Sequence, residues 1–157
     1  MALQKDHFLT QLFFLRPTEE HLKSLALYLK AFEDDFGTIK EGIEYTHHVS
    51  SIHHRITLYY LINELLNMRI SQKLKAELKN FTKEKFHKDI QLSLGYETLN
   101  KRILELESVW RHKRTIGFGD KYNLEEVISK IKESFYDRAK FIEVLKELLE
   151  QCKHPEN

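Results

Sequence analysis

Arg55-Ile56-Thr57-Leu58-Tyr59-Tyr60-Leu61-Ile62-Asn63-Glu64-Leu65-Leu66-Asn67-Met68 is the stretch on which the fold turns. At about 3.6 residues per turn, Ile56, Tyr59, Tyr60, Leu61, Ile62, Leu65 and Leu66 cover well over half of a helical wheel. A helix apolar on most sides is covered by neighbours. Asn63, Glu64 and Asn67 interrupt the apolar surface, and Asn63 and Asn67, four apart, share a face. The stretch predicts a central helix with a narrow polar strip left open to a groove. The plainer reading of the same pattern is a core helix with one solvated edge.

The composition agrees with a helical protein. The chain has 157 residues, enough for one domain with a real core. Charged residues make up 31% but nearly cancel, leaving a net charge of +1. No global basic field therefore argues for direct nucleic-acid binding. A single cysteine, Cys152, excludes a disulfide framework and a cysteine zinc cluster. No apolar run approaches the roughly 20 residues of a membrane span, and Met1 to Asp6 lacks the apolar stretch of a signal peptide. With two Pro and five Gly, the expectation is a soluble, all-α, nuclear or cytosolic protein.

Outward from the centre, Phe8, Leu9, Leu12, Phe13 and Leu15 form a first short apolar segment, ended by Pro17. Thr18 reads as an N-cap, with carboxylates following in the first turn. Leu22, Leu25, Ala26, Leu29 and Phe32 or Phe36 continue that helix to a stop at Gly37. Ile39, Ile43 and Thr46 face inward from a third helix over 38–49, and Ser50-Ser51 turns the chain into the central helix. After Ser71 come Leu74, Leu78, Phe81, Phe86, Ile90 and Leu94, whose spacing slips after Phe81 and suggests a break near Thr82. Thr98 is a further N-cap candidate, before Leu99, Ile103, Leu106, Val109 and Trp110. Residues 117–120 read as a loop, and a last helical region spans 123–152. Seven or eight helices with short connections suggest an α-solenoid-like or bundle domain over 1–152, with a tail at 153–157.

The wording of the central helix resembles that of the CTD-interacting domain, a family that binds the heptad repeats at the C-terminus of RNA polymerase II's largest subunit. Arg55-Ile56-Thr57 and Tyr59-Tyr60-Leu61-Ile62-Asn63-Glu64 are similar to its transcription-termination branch. Leu25-Ala26-Leu27-Tyr28-Leu29 resembles the family's second helix, and Ser108-Val109-Trp110 its seventh. The resemblance covers 8–135. It implies about eight helices in a right-handed superhelix of the VHS/ENTH kind and no enzymatic activity or cofactor. The implied partner is a repeat peptide held between the second, fourth and seventh helices, in the nucleus. It places Tyr60, Asn63, Glu64 and Asn67 in the peptide-binding set, with Asn63 and Tyr60 orienting the repeat tyrosine. Some members meet a phosphoserine with an arginine five residues before the Trp. That position is Glu105 here, so Arg102, Lys101 and Arg111 are the phosphate-binding candidates. The family's amide after the central helix is Met68, a second departure.

Two other classes remain open at this stage. VHS and ENTH adaptors of membrane traffic share the superhelix, but only Lys5 and Arg16 supply the basic N-terminal cluster that would favour them. Glu44 to His47 and Glu84 to His87 are Glu-x-x-His pairs, which with Glu20 and Glu64 could form a di-iron carboxylate bundle. Gly37, Gly42 and Ser50-Ser51 shorten the helix that would carry the first pair. The histidines at 47, 48, 53 and 54 therefore read as surface or turn residues, and no metal ligands are assigned. Gly117-Phe118-Gly119 lacks a preceding strand and is a weak phosphate-loop signal. The heptad-like steps over 124–149 fit packing on the domain's own core, or pairing with a second subunit or a partner helix.

Overall fold

A computed structural model describes residues 2–116 and, beyond them, the isolated helical positions Ala139, Lys140, Ile142, Glu143, Lys146, Glu147 and Leu149. The chain divides into two compact units, 1–116 and 117–157. The loop expected at 117–120, most of the last helical region with its subunit seam, Cys152 and the tail lie outside the described residues.

The first unit is all-α. Helices α1 (Lys5–Phe13), α2 (Glu19–Ala31), α3 (Phe36–Val49), α4 (Ile52–Leu66), α5 (Gln72–Leu92) and α6 (Glu97–His112) follow in order, with no strand among the described residues. The central helix is α4. Ile56, Leu58, Tyr59, Leu61, Ile62 and Leu65 are at most 2% exposed, and α2, α3, α5 and α6 all pack against it. Tyr59 from α4, Phe86 from α5 and Trp110 from α6 form one aromatic cluster, with centroids 4.9 Å (Tyr59–Phe86) and 5.0 Å (Phe86–Trp110) apart.

Local signals account for several helix ends. Thr18 Oγ1 accepts from the His21 N–H, and Ser71 Oγ from the Leu74 N–H, each an N-cap bond. The Ser71 N–H in turn donates to Glu33 Oε2 at 2.7 Å, fixing the start of α5 to the 3₁₀ turn Glu33–Asp35. At Gly42, an added Cβ would overlap the buried Phe8 ring, so glycine lets α1 and α3 approach closely.

Three boundaries differ from the sequence expectation. Gly37 does not stop α2. That helix ends at Ala31, the acidic turn Glu33–Asp35 redirects the chain, and Gly37 lies in the first turn of α3. No break occurs near Thr82, because α5 runs unbroken for 21 residues. Its buried residues are Leu74, Leu78, Phe81, Thr82, Phe86 and Asp89, a continuous helical stripe once polar members are admitted. The apparent slip between Phe81 and Phe86 came from leaving out the buried Thr82, four residues before Phe86. Thr98 is not a cap either, as α6 starts at Glu97 without a side-chain cap. One α5 where two helices were expected leaves six helices in the first unit rather than seven.

Candidate peptide-binding face

Between α2 and α6, α4 presents an edge that is not covered. Tyr60, Asn63 and Glu64 are half-buried there, and Asn67 is exposed where the helix ends. The side-chain amide of Asn63 is tied down: its Oδ1 accepts from Trp110 Nε1 at 2.8 Å. Indole N–H only donates, so the amide orientation is fixed and its NH2 group points elsewhere. Trp110 is fully buried, and Asn63 gives its ring nitrogen a partner.

Charge is distributed unevenly along this edge. Burial raises the Tyr60 hydroxyl pKa, the Arg102 charge opposes that shift, and the Glu105 charge adds to it. Both charges from α6 thus act on the Tyr60 hydroxyl. Lys23 of α2 pairs with Glu19 at 2.5 Å and also feels Glu64. The edge therefore offers an aromatic ring, an amide donor, two carboxylates and a guanidinium within reach of a bound chain.

The phosphate candidates separate. Arg102 and Lys101 are exposed on α6. Arg111 bonds Glu107 at 2.7 Å. Nine helical steps of about 100° put it half a turn around the axis from Arg102. It faces α5, where its charge and that of Glu107 act on His87. Arg111 therefore does not join the Tyr60 edge. Met68 is half-buried just past α4.

A second polar constellation escaped the sequence reading. Asp89 of α5 is fully buried, and both its oxygens are used. His47 Nε2 lies 2.5 Å from Oδ2, Tyr59 also donates its hydroxyl to Oδ2, and Arg55 Nη1 donates to Oδ1 at 2.9 Å. An ionised carboxylate only accepts, so His47 carries its proton on Nε2. Arg55 also donates Nε–H to the His47 carbonyl at 2.8 Å, closing the end of α3 onto the start of α4. Burial pushes the Asp89 carboxyl up, but the bonds from His47, Tyr59 and Arg55 outweigh it and hold the group below its ordinary value. The Tyr59 hydroxyl is pushed far up by burial and by the Asp89 charge, and stays a donor.

This network corrects the reading of the histidines as surface or turn residues at two of the four positions, while His48 and His53 are exposed as expected. His47 is buried and bonded, and His54, half-buried, bonds the Leu12 carbonyl at 2.7 Å to join α4 to α1. The signal was present: Asp89 falls in phase with the α5 stripe, where a carboxylate requires a buried cation or donors.

The two Glu-x-x-His pairs do not converge. Glu44, His47 and Glu84 line a cleft of about 420 Å³ above the Asp89 network, whereas His87 faces α6. Glu20 lines a different groove, between α1 and α2, and Glu64 lies on the Tyr60 edge. Among the described residues no group of three or more histidine, cysteine or acidic side chains is placed to hold a metal ion. No helix among them is long and apolar enough to cross a membrane. Comparison of the chain with models of known protein families, with curated proteins and with solved structures finds no match.

Proposed function

We propose that the first unit is a non-enzymatic peptide-binding module of the CTD-interacting type. It would dock on the C-terminal heptad repeats of RNA polymerase II in the nucleus and couple transcription to termination, RNA 3′-end processing or splicing. In this reading α2, α4 and α6 stand for the family's second, fourth and seventh helices, and the fold is its right-handed superhelix.

The observation that carries the proposal is the bond from Trp110 to Asn63. It joins the two most distinctive motifs of the resemblance, on the two helices that would form one wall of the groove. Tyr60 and Asn63 orient the repeat tyrosine, and the apolar walls of the groove take the proline turn. The Asn63 amide nitrogen donates to the peptide, and the Glu64 carboxylate accepts from the repeat tyrosine's hydroxyl. Arg102 is the guanidinium nearest to this edge able to meet a phosphate. Glu105 acts on the same edge and works against phosphate close to Tyr60.

The test is a fluorescence-anisotropy titration with two-repeat peptides, unphosphorylated or phosphorylated at the second or fifth serine of each repeat. Micromolar binding that weakens in Arg102→Glu for a phosphorylated form is the expected outcome. Flat titrations with every peptide would reject the function while leaving the helical fold untouched.

A further inference from the structure

The net charge of +1 hides a segregation of charge on α5. Lys75, Lys79 and Lys83 stand four apart, so they form a row along one flank of the buried stripe. Each step is about 6 Å along the axis. No carboxylate pairs with any of the three among the described residues, whereas Lys85 of the same helix pairs with one and Lys40 with two. Of the three acids of the same helix, Glu77 and Glu84 are on the opposite flank, bonded to Lys40 and Lys85, and Asp89 is buried. Lys79 is half-buried, and both neighbouring lysines act on it, which together with burial lowers its pKa.

The row continues onto α6. His87 is the next position along it and meets the charges of both Glu107 and Arg111, which pair with each other at 2.7 Å. The 3₁₀ turn Ser93–Gly95 folds α6 back along α5, and Phe86 touches Trp110. Beyond the paired Arg111, the basic end His112-Lys113-Arg114 therefore runs back toward Lys83. Arg114 takes a left-handed backbone, φ 53°, at the position after a helix where glycine is favoured. Like charges at four-residue spacing weaken a helix, and a non-glycine left-handed residue is strained.

We infer that this row is a docking surface for the phosphate backbone of a nucleic acid. Evenly spaced point charges suit a polyanion. None of the exposed large apolar residues of the unit lies on the α5 row, so it lacks the wedge with which a basic helix enters a lipid surface. It also lacks exposed aromatic rings for stacking bases, so binding is expected to be indifferent to sequence. The inference is independent of the peptide reading, because Arg111 and the row lie on the side of α6 away from Arg102.

The experiment is an anisotropy titration of the full chain with labelled oligouridine RNA and with single-stranded DNA of the same length, at several KCl concentrations. Lys75→Gln, Lys79→Gln and Lys83→Gln together should weaken binding at least tenfold. The triple variant should also flatten the plot of log K against log salt by about 2, from roughly 0.7 per phosphate contact. Lys5→Gln, Arg16→Gln and Lys30→Gln remove the same charge from α1, α2 and the connection between them, and should leave binding within twofold. Equal losses in the two triples would reduce the effect to net charge and overturn the inference, as would absence of binding by the wild type at low salt. Row-dependent pelleting with phosphatidylserine vesicles, without RNA or DNA binding, would assign the row to a lipid surface instead. Retention of repeat-peptide binding by the lysine triple would keep the two sites separate.

Discussion

At the scale of single residues, the unit depends on two buried polar arrangements with different tolerances. Asp89 is a full charge in the core, held by three donors. Asp89→Ala leaves the Arg55 guanidinium and the His47 proton facing a cavity. Breaking a buried pair from one side costs about 3–5 kcal/mol, so the urea midpoint should fall sharply at unchanged slope. The same carboxylate sets an acid limit. Its folded pKa lies below the unfolded one, so its stabilisation is fully present above the unfolded value of about 3.9 and is lost as pH falls from there through the folded value. Melting temperatures between about pH 6 and pH 2 should fall more steeply for wild type than for Asp89→Asn, which has no charge to lose. Identical acid profiles would mean that Asp89 is already neutral in the fold.

Asn63 is constrained by a single bond. Asn63→Ala strands the indole N–H of Trp110, at a cost of about 1–3 kcal/mol. Asn63→Asp keeps an acceptor and should retain most of the stability in the same urea assay. If Ala were as stable as wild type, the Trp110 bond would contribute nothing to folding. Loss of peptide binding in Asn63→Ala is therefore not by itself evidence for contact, and Tyr60 and Arg102 are the cleaner positions at which to probe the edge.

At the scale of elements, the two glycines of α3 should respond in opposite directions. Gly42→Ala pushes a methyl group into the buried Phe8 ring, and overpacking of this kind costs about 1–3 kcal/mol. Gly37→Ala meets open space on an ordinary helical backbone and should gain about 0.4–1 kcal/mol. Thermal unfolding of the pair, compared with wild type, reads both signs at once.

The helices themselves were legible in the sequence. The apolar density of 56–66, the cap Thr18, the helix start at Ser71 and the turn at Ser50-Ser51 are local signals, and each is realised. The errors occurred where a tertiary partner overrode a local rule. Gly37 has a breaker's composition, but the chain had already turned at Glu33–Asp35, whose Glu33 and Asp35 bond Ser71 and Leu3 far away in sequence. Thr82 and Asp89 read as polar interruptions of α5 because their burial depends on other helices. His47 and Arg55 lie 42 and 34 positions from Asp89, a separation that no periodicity reports.

At the scale of the whole molecule, three of the four peptide-binding candidates named from the central helix lie half-buried together, and the fourth, Asn67, is exposed where the helix ends. Tyr60, Asn63 and Glu64 share the edge beside α6, because their spacing on one helix fixed their common face. Their surroundings could not be read in the same way. The Trp110 bond, the charges of Arg102 and Glu105 on Tyr60 and the exclusion of Arg111 all depend on how α6 is rotated against α4. The spacing of Lys75, Lys79 and Lys83 is legible in the sequence, but which lysines of α5 find carboxylate partners depends on the neighbouring helices.

The chain has one tryptophan, so an isotope-labelled sample gives one indole N–H signal in a proton–nitrogen correlation spectrum, and that signal reports on the Asn63 bond. Following it while a phosphorylated two-repeat peptide is added tests the central proposal most directly. The expected result is a saturable shift of the Trp110 indole signal together with the backbone signals of Tyr60, Glu64 and Arg102, absent in Tyr60→Ala. Binding that leaves the indole signal in place while moving residues of the α1–α2 groove or the α5 row would contradict the proposed site, and a spectrum unchanged at saturating peptide would contradict the proposed function.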